Sequence, residues 1–360
     1  MNDRSKDFSH FQEGAERLHR AMNGPAEAAP VLAQMHEFAA HWFRIPRREF
    51  FSRPELLVPA LLETQREFGI DVAAITFDVY NIEAEALGQV LVWTEEGMPD
   101  VDRSRPLIRD RQDLSKLRTP DFERAGRFPQ VMEMLSLFQR LTGLEPTLSF
   151  CAPFSLAANL RGIERLLIDI HEDPAFARAL MDAVTQEVLA PWILYQKRRF
   201  PGSRRISGAD ATASLPLVNL SILRNWVFPY VKRLRELCGP EVYVANWVGE
   251  RYLPDPTEML RLKVSVGPGA LWAQDPDVEH LGPGFFKDFA TAHDLPLILG
   301  VGAAFLALAK SSEIESRVRN YVQMGGRGGR FALYLCNVGA TTPPENLRAA
   351  IETAHSCQIG

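Results

Sequence analysis

Residues 295–336 read LPLILGVGAAFLALAKSSEIESRVRNYVQMGGRGGRFALYLC. The two ends, LPLILGV (295–301) and RFALYLC (330–336), are short, nearly continuous apolar runs, the pattern of strands buried on both faces. Between them, SEIESRVRNYVQMGG repeats its apolar residues at helical spacing. A strand, an amphipathic helix and a second strand make a β/α unit, and repeated units of this kind argue for a parallel sheet.

The same rhythm runs through the rest of the chain. Strands are predicted at 29–35 (APVLAQM), 71–79 (DVAAITFDV), 145–151 (EPTLSFC), 203–208 (SRRISG), 241–247 (EVYVANW) and 262–266 (LKVSV). With the two above they make eight, which predicts an α/β fold closed as a (β/α)8 TIM-type barrel rather than an open sheet. Two segments break the pattern. Residues 1–27 form an N-terminal extension carrying a predicted helix, HFQEGAERLHRAMNG. Residues 88–145 form an insertion between the second and third strands, with a hairpin in GQVLVWTEEGMPDVDRSRPLI and a helix over 128–142. A single domain over 1–360 is expected.

Composition excludes little but sets the class. The chain of 360 residues is 46% hydrophobic with a formal net charge of -5, which gives no support for a nucleic-acid or membrane-surface role. No run of about 18 apolar residues suggests a membrane span. The start, MNDRSKDFSHFQEG, lacks the apolar core of a signal peptide, so a cytoplasmic location is the expectation. Cys151, Cys238, Cys336 and Cys357 are widely spaced and are expected to be free thiols.

In such a barrel the chemistry gathers where the strands end. The strand ends offer His36 after the first, and Asp78, Tyr80 and Asn81 after the second. Cys151 follows the third, Asp210 the fourth, Asn246 the fifth and Cys336 the eighth. Asp78, Asp210 and His36 are the candidate acids and bases. Tyr80, Asn81 and Asn246 are candidate substrate-binding groups. Each has a plain structural alternative: an Asp capping a loop, a His packed among aromatic rings, a Cys acting as a small apolar residue. Glu83 and Glu85 suit the first turn of a helix, where the dipole favours acids.

Several segments resemble one known family. They are FDVYNIEAEALG (77–88), LSKLRTPDFERAGRFPQVMEML (114–135), APFSLAANLRGIERLLIDIHEDP (152–174), NWVFPYVKRLRELCG (225–239) and GGRFALYLCNVGATTPPENLRAAIETA (328–354). Together, and in this order, the chain resembles the uroporphyrinogen decarboxylase-like family. It is most similar to the cobalamin-dependent methyltransferase branch, of the methylcobalamin:coenzyme M methyltransferase kind. The resemblance implies a (β/α)8 barrel. It is weaker toward porphyrinogen decarboxylation, because the arginine-rich segment expected after the first strand is replaced by AQMHEFAAHWF (33–43).

In that branch the resemblance implies zinc held by a His-x-Cys pair after the fifth strand and a Cys after the eighth. Cys336 stands in register, six residues before Thr342 of TPPEN. The pair does not survive: Asn246 stands for the His and Val248 for the Cys. Gly267 stands where an Asp is common after the sixth strand, and residues 300–304 lack the usual Asn and Asp. Zinc is therefore either bound at a rebuilt site, using His36, Cys151 or a Glu with Cys336, or replaced by metal-free acid–base chemistry.

The resemblance implies a methyltransferase that moves a methyl group between a small, methoxylated, methylthio or aromatic compound and a corrinoid. With no D-x-H-x-x-G stretch in the chain, the corrinoid (cobalamin) would sit on a separate partner protein. Two alternatives stay open: a metal-free decarboxylase of a non-porphyrin carboxylic acid, and a non-catalytic binder of a tetrapyrrole or corrinoid.

Overall fold

The computed structural model describes residues 8–94, 97–267 and 269–360. In chain order the strands are β1 (Val31–Ala33), β2 (Leu91–Val92), β3 (Asp100–Val101), β4 (Leu148–Cys151) and β5 (Ile206–Ala209). They continue with β6 (Val242–Val244), β7 (Leu271–Gln274), β8 (Leu297–Val301) and β9 (Phe331–Leu335). The described residues gather into two compact units: 8–76, 136–144 and 269–360 in the first, and 77–135 and 145–267 in the second.

The first unit holds a four-stranded parallel sheet in the order β1-β9-β8-β7. All five residues of β8 are buried, as the apolar run LILGV predicts. Leu32, Ile298 and Ala332 from three neighbouring strands share one cluster with Leu18 of the leading helix His10–Asn23. That helix packs closely: a Cβ added at Gly14 would meet the Asp71 carbonyl oxygen at 1.8 Å. The helix Pro54–Phe68 opens on a proline and closes on Gly69 at φ 76°, the left-handed position that favours glycine.

The second unit holds a three-stranded parallel sheet, β4-β5-β6, with Cys151 opposite Ala209 and Gly208 opposite Val244. Gly208 is required by close approach, since a Cβ there would sit 2.5 Å from the Phe150 ring. β2 and β3 pair antiparallel as the expected hairpin of the insertion; Glu95 and Glu96 within it lie outside the described residues. The expected helix is Phe128–Thr142. Residues 1–7 of the extension lie outside the described residues.

Two predicted strands are corrected. Residues 71–79 form no ladder. Asp71 N–H donates to the Val31 carbonyl at 3.1 Å. Further along, the buried Gln65 amide takes the place of a neighbouring strand: its Nε2 donates to the Ala74 carbonyl at 2.7 Å and its Oε1 accepts from the Ala74 N–H at 3.0 Å. The backbone groups are satisfied without a ladder. Residues 262–266 do not form the sixth strand either; 257–264 is a helix. Val264 and Val266 alternate with polar residues, which reads as a strand over so short a window. Met259, Leu260 and Lys263 nevertheless form the buried face of a helix, with Lys263 paired to the buried Glu250. The strand at this place in the order is β7, and Asp275 follows it directly. The acid that seemed replaced by Gly267 is thus present as Asp275.

Among the described residues no helix is long and apolar enough to cross a membrane. All four cysteines are free and buried.

Candidate active site

The second unit brings together three of the residues singled out by their strand-end positions. Asp210 follows β5 and is fully buried. Its Oδ1 accepts from the Ser155 N–H at 3.0 Å and the Ser155 hydroxyl at 2.8 Å; its Oδ2 accepts from the Trp247 indole N–H at 3.0 Å. Ser155 lies in the first turn of the helix Pro153–Arg161 after β4, and Trp247 follows β6. One carboxylate therefore ties together the ends of three adjacent strands. Burial pushes its pKa up to about 6, against the pull of Ser155 and Trp247.

The backbone N–H of Asp210 donates to Asn246 Oδ1 at 2.9 Å. That bond fixes the amide orientation, because a backbone N–H can meet only the oxygen. Asn246 Nδ2 is then turned to the Tyr80 hydroxyl, to which it donates at 2.8 Å. The Ala211 N–H donates to the same hydroxyl at 3.2 Å. Asn159 Nδ2 holds the Tyr80 carbonyl at 2.7 Å. The Tyr80 oxygen thus accepts two hydrogen bonds, and its own proton has no acceptor among the described residues. Burial pushes the phenol well above its ordinary pKa, so Tyr80 is a neutral hydrogen-bond donor at physiological pH.

Asp78 is placed differently. Its two oxygens accept from the two terminal nitrogens of Arg127 at 2.8 and 2.6 Å, a bidentate fork. Arg127 Nε donates to Glu85 at 2.6 Å, and the guanidinium lies 5.2 Å from the centre of the Trp93 ring. Asp78 and Arg127 are both buried. Burial raises the Asp78 carboxyl above its usual range while the guanidinium opposes it. Each Asp78 oxygen therefore accepts one bond from Arg127. Asn81 is buried, and its Nδ2 donates to the Pro99 carbonyl at 2.7 Å, joining the helix Ile82–Ala86 to the hairpin.

Glu83 lies in the first turn of the helix Ile82–Ala86, as its pattern suits, and is fully buried. Its Oε1 accepts from the Cys151 N–H at 3.0 Å, while Oε2 is buried without a hydrogen bond. Burial pushes its pKa up to about 8. The Cys151 thiol is buried and held well above its ordinary pKa by burial, with Glu83 and Asp210 adding to the effect.

The other two candidates lie in the first unit. His36 is buried with its ring edge-on to Phe51 at 5.7 Å. Burial and the nearby Arg47 lower its pKa to about 4, which makes it a neutral imidazole and a weak base. The Cys336 thiol donates to Gln274 Oε1 at 3.3 Å, and a Cβ at Gly300 would come within 2.4 Å of its sulfur. Burial holds this thiol well above its ordinary pKa. Next to Gln274, Asp275 accepts from Tyr321, from the Gly302 N–H at 3.0 Å and from Arg317 at 3.4 Å.

The zinc set implied by the resemblance does not fit these residues. Val248 has no donor atom in its side chain, and both polar atoms of Asn246 are used internally. Among the described residues, no three of His, Cys, Asp and Glu come together as a metal site.

Residues 13–357 match the family described as Uroporphyrinogen decarboxylase (URO-D). The chain belongs to the uroporphyrinogen decarboxylase family. Among its relatives is the methylated-thiol–coenzyme M methyltransferase of Methanosarcina mazei, 32% identical over 179 residues. That alignment covers 48% of this chain and 46% of the relative, so the chain spans about half the length of the curated relative it matches. A solved structure, a methyltransferase from Methanosarcina mazei, superposes with a TM-score of 0.78. It is 16% identical, and the match covers 96% of this chain and 98% of that one. The fold of this family member is the (β/α)8 TIM-type barrel that the sequence predicts.

Of the strand-end candidates, the structure brings Tyr80, Asp210 and Asn246 into contact. Strand-end reasoning did not single out Ser155, Asn159, Trp247 or Arg127, and it read Glu83 only as an acid of a first helical turn. Ser155 and Asn159 lie inside a helix that reads as plain packing. A Trp beside Asn246 was the one available signal, since a buried indole N–H needs an acceptor.

Proposed function

We propose that this family member is a methyltransferase that moves a methyl group between a small methylated compound and a corrinoid carried by a separate protein. The corrinoid enters as a co-substrate and supplies the partner centre for the methyl group. The observation that carries the reading is the Tyr80 hydroxyl, held by Asn246 and Ala211 with its proton directed to neither. The name of the Methanosarcina mazei relative supports it.

When a methyl group leaves an ether or thioether, the electron pair of the broken bond stays on oxygen or sulfur. That atom needs a proton or a strong hydrogen bond. Tyr80 supplies it from its hydroxyl. The N–H groups of Asn246 and Ala211 then stabilise the charge that develops on the Tyr80 oxygen. Asp210 takes no proton in this scheme. Its carboxylate positions Ser155 and Trp247, and its N–H orients Asn246.

A second reading is a metal-free decarboxylase of a non-porphyrin acid, with the same phenol protonating carbon as carbon dioxide leaves. It is favoured by Asn246 and Val248, which leave proton-handling groups where the related methyltransferases are expected to hold metal. The Arg127 fork favours the first reading, because Asp78 and Glu85 already engage the guanidinium that could greet a substrate carboxylate.

The test is a panel of small methyl ethers and thioethers incubated with the protein and a reduced corrinoid. Demethylated product that is lost in Tyr80→Phe supports methyl transfer. Carbon dioxide from an acid substrate, with no demethylation across the panel, overturns it.

A further inference from the structure

The first unit carries a cavity of about 370 Å³ that the mechanism above does not use. It lies where β1 begins. Ala28, Ala29 and Pro30 lead into the strand and line the cavity, together with Ile70 and Asp71. In a (β/α)8 barrel the chemistry gathers at the other ends of the strands. A molecule held here is therefore not the reacting substrate.

The lining is mostly cationic. Arg17, Arg66, His10 and His355 stand against one acid, Asp71. The Asp71 side chain is buried and its charge is already met. Its Oδ1 accepts from Arg17 Nη2 at 2.7 Å. Its Oδ2 accepts from the Val31 N–H at 2.8 Å and lies 2.7 Å from His355 Nε2. An ionised carboxylate only accepts, so His355 carries a proton on that nitrogen. The carboxylate thus holds Arg17 and His355 at the cavity while its own two oxygens are engaged.

Donors remain for a ligand. Arg17 spends one nitrogen on Asp71, and its other nitrogens meet no acceptor among the described residues. Arg66 pairs with Glu63 through Nη2 and lies 5.5 Å from the centre of the Phe8 ring. Both arginine side chains are about half exposed, so the cavity is open to solvent molecules. Ala29 is fully buried, and its N–H meets no acceptor among the described residues. Buried N–H groups are normally paired, so the acceptor for this one has to come from what occupies the cavity. Two guanidiniums and one backbone N–H, from three separate segments, suit the three terminal oxygens of a phosphate better than the two of a carboxylate. The volume falls in the range of small-molecule sites, about 300–1,000 Å³. That leaves room beside a phosphate for an uncharged group against Ala28, Pro30 and Ile70.

We infer that this cavity binds a small phosphate monoester, its phosphate held by Arg17, Arg66 and the Ala29 N–H and its ester group resting on Ala28, Pro30 and Ile70. Neither the residues nor the ligand depends on the methyltransferase reading.

Titration calorimetry of the full chain at neutral pH tests it, with phenyl phosphate and inorganic phosphate as the probes. Phenyl phosphate should bind at a single site and more tightly than inorganic phosphate. Arg17→Gln and Arg66→Gln should each weaken it about tenfold, the worth of one charge-assisted hydrogen bond. Arg20→Gln, on the same helix as Arg17 but outside the lining, should leave it unchanged. In nitrogen-15 spectra of the wild type the Ala29 amide should move on saturation, a readout that needs no variant to fold. No binding of either probe at millimolar concentration overturns the inference. So does an affinity unchanged in both lining variants, or an Ala29 amide that stays in place. Equal affinity for the two probes overturns the ester assignment and means a site for free phosphate.

Discussion

Asn246 joins two strand ends through a single amide: its oxygen accepts from the Asp210 N–H at 2.9 Å and its nitrogen donates to the Tyr80 hydroxyl at 2.8 Å. The residue that replaces an expected zinc ligand is therefore an orienting group. Reversing the amide would place N–H against N–H at Asp210, so the direction of the Tyr80 proton is set by the backbone of β5.

Tyr80→Phe keeps the ring and removes the donor. Methyl transfer is expected to fall about 10²- to 10⁴-fold, the usual contribution of a positioned acid. The stability cost should be about 1 kcal/mol, as for one hydrogen bond. Steady-state rates and urea unfolding measure the two separately. A Phe variant with full activity would remove Tyr80 from the mechanism.

Asn246→Asp keeps the acceptor for the Asp210 N–H and deletes the donor to Tyr80. The phenol then turns its proton to the new carboxylate, away from the substrate. Activity should drop nearly as far as in Tyr80→Phe, and the double variant should be no worse than Tyr80→Phe alone, because one interaction is lost in each case. Additive losses in the double variant would separate the two residues.

Arg127→Met leaves Asp78 buried without its counter-charge. Removing one partner of a buried ion pair costs about 3–5 kcal/mol, read as a lower midpoint in urea unfolding. Arg127→Lys should recover only part of this, since an ammonium cannot reproduce the fork. Wild-type stability in the Met variant would mean that the pair is not closed in solution.

Stability should fall as pH rises through the neutral range. Asp210 is raised from 3.8 to about 6 and Glu83 from 4.5 to about 8. A carboxyl with a raised folded pKa adds stability that is complete below its unfolded value. That stability is lost as pH climbs to the folded value. The window is therefore about pH 4 to 8, and the combined loss is on the order of a few kcal/mol. Urea midpoints at a series of pH values measure it, with Glu83→Gln separating the share of Glu83. His36, lowered from 6.5 to about 4, acts in the opposite direction below about pH 6.5, so the decisive interval is about pH 6.5 to 8, where a flat or rising midpoint would contradict the Glu83 assignment.

The barrel was legible because β8 and β9 are buried on both faces and read as unbroken apolar runs flanking an amphipathic helix. Residues 71–79 misled because their pattern is that of a strand, yet the Gln65 side chain supplies bonds that a neighbouring backbone would otherwise make. Residues 262–266 misled because a window so short cannot separate a period of two from the end of a helix. At the site, Tyr80, Asp210 and Asn246 could be found because strand ends are a small set. Arg127 could not: it lies 49 residues from Asp78 in sequence, and the motif that contains it does not say which acid it meets. Nor could Glu83, whose burial is decided by the unpaired N–H of Cys151 and not by any residue near it.

That last contact has a practical side. The Cys151 amide proton lies against the carboxyl whose charge is in question. Its chemical shift will move as the carboxyl gains or loses a proton. A single backbone resonance, needing no attached label beyond nitrogen-15, reports on the protonation of that carboxyl from inside the sheet.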